Sequence, residues 1–307
     1  MAKILVTGAA GFIGSHTVDQ LLAAGHTIWG VDNFRTGRRE NLTEALRYKT
    51  FILQELDVAE ESKFVEFVSE TSPDIIIHLA ALVSVPESIA NPALNDCLNY
   101  QTTRIVAEAA RRHQVPRIIF ASSAAVYGDS AVCPISEDAP KKPLNPYGSA
   151  KLASEKLLFD YAGKYGLTVR CQRYFNVYGP RQDPRSPYSG VISIFLDYFK
   201  RKMAPTIYGD GEQTRDFISV HDVARANLIA ATRQGLRSGV INICTGRPTS
   251  INELWRLLSQ HHLKGLQPSY VPSRHGDIRH SCGSPAAARD ALEFAAAIDL
   301  PAGLAEL

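Results

Sequence analysis

Residues 3–14 read KILVTGAAGFIG, a short apolar run followed by glycines at Gly8, Gly11 and Gly14. The run predicts a strand, and the amphipathic stretch SHTVDQLLAAG after it predicts a helix, so the glycines occupy a strand-to-helix turn. Glycines there permit a tight bend and let backbone amides approach a pyrophosphate at the helix N-terminus, with Phe12 and Ile13 in its first turn. The spacing is GxxGxxG, one residue longer in its first gap than the GxGxxG dinucleotide fingerprint. Position strengthens the reading, because the turn follows the first strand and the second, TIWGVD, ends on an acid, Asp32. That carboxylate can accept hydrogen bonds from an adenosine ribose and repels a 2'-phosphate, which favours NAD over NADP. Arg35, Arg38 and Arg39 pull the other way, since arginines can hold that phosphate.

The same rhythm continues outward. FILQELD, DIIIHLA, RIIFASS, LTVRCQRYF and VINICTG are further continuous apolar runs, separated by helical patterns such as ESKFVEFVSET and RIVAEAARRH. Continuous rather than alternating hydrophobicity marks strands covered on both faces, as in a parallel sheet. Alternation with helices predicts a doubly wound α/β sheet of Rossmann type. After Gly179 the pattern breaks into the loop PRQDPRSPYSG and the helix VISIFLDYFKRK, read as the start of a smaller lobe. The expected organisation is a dinucleotide-binding domain over 1–179, to which 216–246 returns, and a substrate lobe over 180–307, interleaved in sequence. Asp57 and Val58, at the end of the third strand, are placed to flank an adenine; a surface turn is an equally good reading of Asp57.

Composition bounds the function classes. The chain has 307 residues, 45% hydrophobic and 21% charged, with a net charge of +2, which gives no reason to expect nucleic acid or a membrane surface as partner. No stretch approaches the ~20 apolar residues of a membrane span, and the N-terminal apolar run is too short for a secretory leader. Five cysteines without CxxC spacing indicate neither a disulfide framework nor a zinc site, and point to the reducing cytoplasm. His78 reads as a satisfied core histidine, and His261 and His262 lack partners at metal spacing. No metal is expected.

Chemistry enters at NPYGSAK, residues 145–151. Asn145 suits a helix N-cap and Pro146 the first helical position, which puts Tyr147 in the first turn and Lys151 on the same face. A nearby cation and the positive end of a helix dipole both favour a phenolate, so Tyr147 is a candidate base. An isolated YxxxK is more often a solvated helix face; the surrounding motifs decide.

Together, GAAGFIG, Asp32 with Asn33, Asp57 with Val58, HLAA at 78–81, Asn99, Ser123 and the Tyr147/Lys151 pair resemble the extended short-chain dehydrogenase/reductase family. RYFNVYGPRQ and GDGEQTRDFISVHDVA are similar to its UDP-hexose 4-epimerases, and the resemblance runs from Lys3 to about Ala288. It implies that Tyr147 is general base and acid, that Lys151 holds the nicotinamide ribose and lowers the Tyr147 pKa, and that Ser123 binds the reacting oxygen. Leu79, Ala80, Ala81, Asn99, Ser122, Tyr174 and Phe175 would line the NAD site. Asn176, Arg215, Arg274 and Asp277 match positions that bind UDP, and guanidinium groups suit diphosphate oxygens. The implied reaction oxidises C4 of the sugar, lets the 4-keto sugar turn over and returns hydride to its other face.

Related enzymes begin with the same oxidation. The 4,6-dehydratases carry an Asp and Glu pair before VYG, and UDP-glucuronate decarboxylases a Glu where Ala125 stands; this chain has Ala124 and Ala125. Without carboxylates an elimination lacks its acid and base, and Asp32 argues against an NADPH-dependent reductase. In such epimerases the residue seven positions after the UDP-binding arginine, here Ser281, lies beside the C2 substituent. A small serine there, with Ser84 in ALVSVPESI, leaves room for an acetamido group, so N-acetylated UDP-hexoses are expected beside plain ones. A homodimer through the segments near 94–113 and 146–163 is expected from the resemblance, as is a last helix that DLPAGLAEL stops short of. A non-catalytic NAD-binding protein is the competing class, and would be expected to have lost the tyrosine, the lysine or the glycine-rich turn.

Overall fold

The apolar runs form strands whose alternate residues face opposite layers. A computed structural model describes residues 1–183, 190–261, 267–273 and 278–307. Its strands are β1 Lys3–Thr7, β2 Thr27–Asp32, β3 Phe51–Glu55, β4 Ile75–His78, β5 Arg117–Ser123, β6 Thr168–Tyr174, β7 Asn176–Tyr178, β8 Thr206–Tyr208, β9 Thr214–Ser219, β10 Gly239–Ile243, β11 Pro248–Ser250, β12 Ser269–Val271 and β13 His280–Ser281. The helices used below are α1 Phe12–Ala23, α2 Glu61–Thr71, α3 Val85–Ala90, α4 Pro92–Asn95, α5 Thr102–Arg112, α6 Pro146–Tyr165, α7 Val191–Lys200, α8 Val220–Thr232 and α9 Ile251–His261.

Seven strands make one parallel sheet in the order β10-β6-β5-β4-β1-β2-β3. Ile4, Val6, Ile75, Ile77 and Ile119 pack into one core with Val18 and Leu21 of α1 and Val223 of α8. Leu5, Ile76, Ile118 and Val169 point the other way, into a core with Phe64 of α2, Val106 of α5 and Leu158 of α6. This period of two on a double-sided sheet explains why the strands read as unbroken apolar runs. Chain order reverses between β1 and β4, and ligands bind outside the carboxyl ends of strands at such a switch point.

A second sheet joins β11, β9, β13 and β7, with β7 and β13 parallel to β9 and β11 antiparallel to it. Its core centres on Trp255 of α9, stacked on Phe199 of α7 at 4.8 Å and edge-on to Phe195 at 5.6 Å. The junction between the sheets is held by Asp216 of β9. Fully buried, its carboxylate accepts bonds from the Thr245 amide (2.8 Å) and hydroxyl (2.6 Å) and from the Gly246 and Gly283 amides (2.9 and 3.2 Å). Among the described residues, no helix is long and apolar enough to cross a membrane.

Candidate active site

A cavity of about 720 Å³ opens beside the carboxyl ends of β1, β2, β4 and β5. Gly8, Gly11, Phe12, Ile13 and Gly14 line it from the first turn, Asp32 and Asn33 from the end of β2, and Asp57 and Val58 from the end of β3. Leu79, Ala80, Ala81 and Ser84 line it after β4, and Ser122, Tyr147, Lys151 and Tyr174 complete that set.

The turn is built for close approach. Gly8 has φ +70°, and a Cβ on Gly14 would stand 1.9 Å from the Gly8 carbonyl oxygen. The N-cap of α1 is Gly11, which has no side chain to cap the helix, and the first turn carries no acid. Amides there are therefore available to an anion beside the cavity. Asp32 accepts the Ala10 amide at 2.9 Å and the Phe34 amide at 2.8 Å; burial raises its pKa against these bonds. Gly37 keeps the approach to that carboxylate clear, since a Cβ there would sit 2.7 Å from Oδ1. The donor set thus fits a dinucleotide: uncapped amides for a diphosphate and a fixed carboxylate for a ribose.

The three arginines that complicated the cofactor reading each meet a carboxylate. Arg35 pairs with Glu87 at 2.7 Å, Arg38 pairs with Asp183, and Arg39 pairs with Glu55 while lying 4.4 Å over the Phe34 ring. A 2'-phosphate would have to displace these partners. Asp57 accepts the Asn33 side-chain amide at 2.8 Å and the Ala59 amide at 2.8 Å, so it also ties the second strand end to the third.

At the other end, α6 begins at Pro146 with the Asn145 side chain accepting the Gly148 amide at 2.9 Å. Tyr147 is half-buried; Ser123, whose hydroxyl accepts the Ala125 amide at 3.1 Å, favours its phenolate form. Lys151 is 3% exposed; its Nζ donates to the Ala121 carbonyl at 2.8 Å and lies 5.8 Å from the Tyr147 ring centroid. Lysine and helix dipole were expected to lower the tyrosine. In the structure burial pushes the Tyr147 pKa up, opposed by Ser123, because the phenol is desolvated and the ammonium is directed at a carbonyl. Burial also pulls Lys151 down to about 7, opposed by Cys171 and Glu155.

Other expected site residues stand apart from this cavity. Asn99, 2% exposed, accepts the Leu82 amide and donates to the Leu82 carbonyl, both at 3.1 Å, so it supports the wall from behind. Phe175 packs near Tyr127 in a separate cluster, 6.4 Å between centroids. Asn176 is exposed on β7, and Arg215 and Ser281 are register partners across β9 and β13, both half-buried. Arg274 and Asp277 lie outside the described residues. His78 is satisfied at one nitrogen only: Nδ1 meets the Thr7 hydroxyl at 2.8 Å, while buried Nε2 has no partner. Sequence reasoning missed Gly37, Asn41, Glu87, Gln182 and Asp183 among the lining residues. Gly37 carried a signal as a glycine five residues beyond the acid of β2, and Gln182 as the last residue of RYFNVYGPRQ. No three His, Cys, Asp or Glu among the described residues gather to hold a metal.

Comparison with known proteins bears on this arrangement. Residues 4–244 match the model of the NAD dependent epimerase/dehydratase family. The chain is 38% identical over 276 residues to a putative UDP-glucose 4-epimerase of Methanocaldococcus jannaschii, covering 90% of this chain and 87% of that protein. A UDP-glucose 4-epimerase of Thermotoga maritima, solved with UDP-glucose, has a TM-score of 0.92 at 37% identity, covering 99% of this chain and 96% of its own. A UDP-N-acetylglucosamine 4-epimerase of Methanobrevibacter ruminantium, solved with UDP-N-acetylmuramic acid, has a TM-score of 0.93 at 35% identity with the same coverage.

Proposed function

The chain belongs to the NAD-dependent epimerase/dehydratase family, and from that premise we propose that it is a UDP-hexose 4-epimerase that interconverts UDP-glucose with UDP-galactose and UDP-GlcNAc with UDP-GalNAc. The observation that carries the reading is the convergence of Tyr147, Lys151 and Ser122 on the cavity lined by the glycine-rich turn and Asp32, with Ser123 favouring the Tyr147 phenolate and alanines at 124 and 125. The glycine-rich turn and Asp32 would hold NAD, which when bound would supply reversible hydride transfer at C4, so the net reaction would be an isomerisation.

The protein's own groups handle the proton and the geometry. Tyr147 accepts the proton of the sugar 4-hydroxyl and returns it, and Ser123 orients that oxygen. Burial raises the tyrosine and lowers the lysine, so a phenolate here depends on an ammonium retained beside it. Ala124 and Ala125 offer no acid or base for elimination, which leaves Tyr147 the proton-transfer group beside Ser123. Asn176 and Arg215, with Arg274 and Asp277 beyond the described residues, are assigned to UDP. Ser84 and Ser281 are assigned to the sugar. The pairing of Ser281 with Arg215 supports this, since it sets a small side chain next to a diphosphate-binding one. The domain division at Gly179, a homodimer through α5 and α6, and a cytoplasmic site of action belong to the same reading.

The test is incubation of the purified protein with each of the four UDP-sugars, with products identified by NMR. Interconversion at C4 is expected, together with NAD or NADH released on denaturation. A 4-keto-6-deoxy sugar or a pentose as product would refute the assignment, and sedimentation as a monomer would remove the dimer from it.

A further inference from the structure

Lys151 must carry its charge in a place that penalises charge, and α6 contains a second residue at the same spacing. Tyr147, Lys151 and Glu155 are each four apart, so Glu155 falls one turn beyond the lysine on the same face. Glu155 is 3% exposed and paired with Arg173, itself 2% exposed: Nε donates to Oε1 at 2.9 Å and Nη2 to Oε2 at 2.7 Å. Ser122, which lines the cavity, donates its hydroxyl to the same carboxylate. The fork is fixed from behind, because Arg173 Nη1 donates to the Tyr127 hydroxyl at 2.8 Å and Tyr127 to Asn242 at 2.7 Å.

A buried ion pair of this kind is weak evidence of stabilisation, since apolar residues of similar volume often serve as well. What apolar residues cannot supply is a fixed negative charge near a buried ammonium. The titratable groups around Lys151 are Tyr147 and Glu155 from its own helix, His78 from β4, and Cys171 and Arg173 from β6. His78 is pulled down to about 3 by burial and Cys171 is pushed well up by burial, so both are neutral near pH 7. Tyr147 is neutral in its resting state. Of this set, Glu155 is the anion, and Arg173, paired with it, is a second cation held on the carboxylate.

We propose that Glu155, locked by Arg173, is a positioning residue for the Tyr147–Lys151 pair: it supplies the countercharge that keeps Lys151 an ammonium, and by engaging the Ser122 hydroxyl it fixes the wall beside it. This rests on the reading of Tyr147 and Lys151 as the proton-transfer pair. Two variants of the full chain with its cofactor test it, Glu155→Gln and the double Glu155→Met with Arg173→Met, the second removing the charges without leaving either partner unpaired. The readouts are the carbon-13 signal of the Lys151 ε-methylene against pH, assigned with Lys151→Arg, and the pH profile of kcat. In Glu155→Gln the Lys151 midpoint and the alkaline limb of kcat should move down together by about one pH unit, a tenfold change in the charged-to-neutral ratio at fixed pH, while the double variant, which also removes the Arg173 cation, should move both less. A folded Glu155→Gln protein, judged by its thermal midpoint, in which the Lys151 titration stays at the wild-type position overturns the proposal, as does a double variant shifted further down than Glu155→Gln. So does a shifted titration with an unmoved alkaline limb. Absence of epimerisation in the wild type would sink the functional reading instead, and the lysine titration alone would then decide this one.

Discussion

The cofactor end of the cavity and the surface around Arg215 are assembled by opposite means. Gly8 to Gly14 and Val31 to Arg38, the two ends of one strand–helix–strand unit, line the cavity there, so residues that shape it are close in the chain as well as in space. Arg215 meets Ser281 only because β9 pairs with β13, after α8, β10 and α9 have intervened. Local steric demands leave a motif, since Gly14 has to clear the Gly8 carbonyl and Gly37 the Asp32 carboxylate. Pairing of strands far apart in the chain leaves no such local steric signature, and there the resemblance of GDGEQTRDFISVHDVA and the count from Arg274 carry the reading.

The largest expected effect falls between the two ends. Tyr147→Phe should lower kcat by about 10²–10⁴-fold, the usual worth of a general acid–base group, with folding unchanged; activity within a few fold of wild type would break the assignment. Next comes pH. His16 binds the Pro180 carbonyl at 2.9 Å, joining α1 to the segment that leads out of the large sheet. Burial lowers its pKa from 6.5 to about 4, so the folded protein prefers the neutral ring. That preference contributes stability in full above about 6.5, and the contribution is lost as pH falls through about 4, an effect of order 3 kcal/mol. Denaturant melts between pH 7 and 4 should show the loss, and His16→Gln should flatten it.

Gly14→Ala should destabilise the protein by about 1–3 kcal/mol through overpacking and reduce bound NAD. Retention of full NAD content on purification would show that the turn tolerates what its geometry forbids. At the other end, Ser281→Tyr should cut kcat/KM on the N-acetylated pair by roughly 10–100-fold while sparing UDP-glucose and UDP-galactose. Equal losses on both pairs would mean that the side chain acts on the lobe and not on the C2 substituent.

The contrast also explains what the sequence disclosed. Apolar runs predicted the parallel sheet because both faces of every central strand are covered. Asn145 and Pro146 located the start of α6, since capping is a local event. The partners of Arg35 and Arg38 were hidden, because Glu87 and Asp183 come from elements far along the chain. Spacing put Lys151 on the face of Tyr147 but could not foresee that its nitrogen would turn to the Ala121 carbonyl, or that burial would raise the phenol. Asn99 matched a cavity position by resemblance, while its side chain is spent on both polar groups of the Leu82 backbone.

The buried Asp216 carboxylate gathers four donors from Thr245, Gly246 and Gly283 at the junction of the two sheets. For anyone building chimeras, these residues form one transferable unit. A second sheet grafted from a relative without them would bring a carboxylate stripped of its donors, or donors without their acceptor, into a dry seam, at a cost of several kcal/mol. Recombination breakpoints in this scaffold should therefore keep all four residues from a single parent.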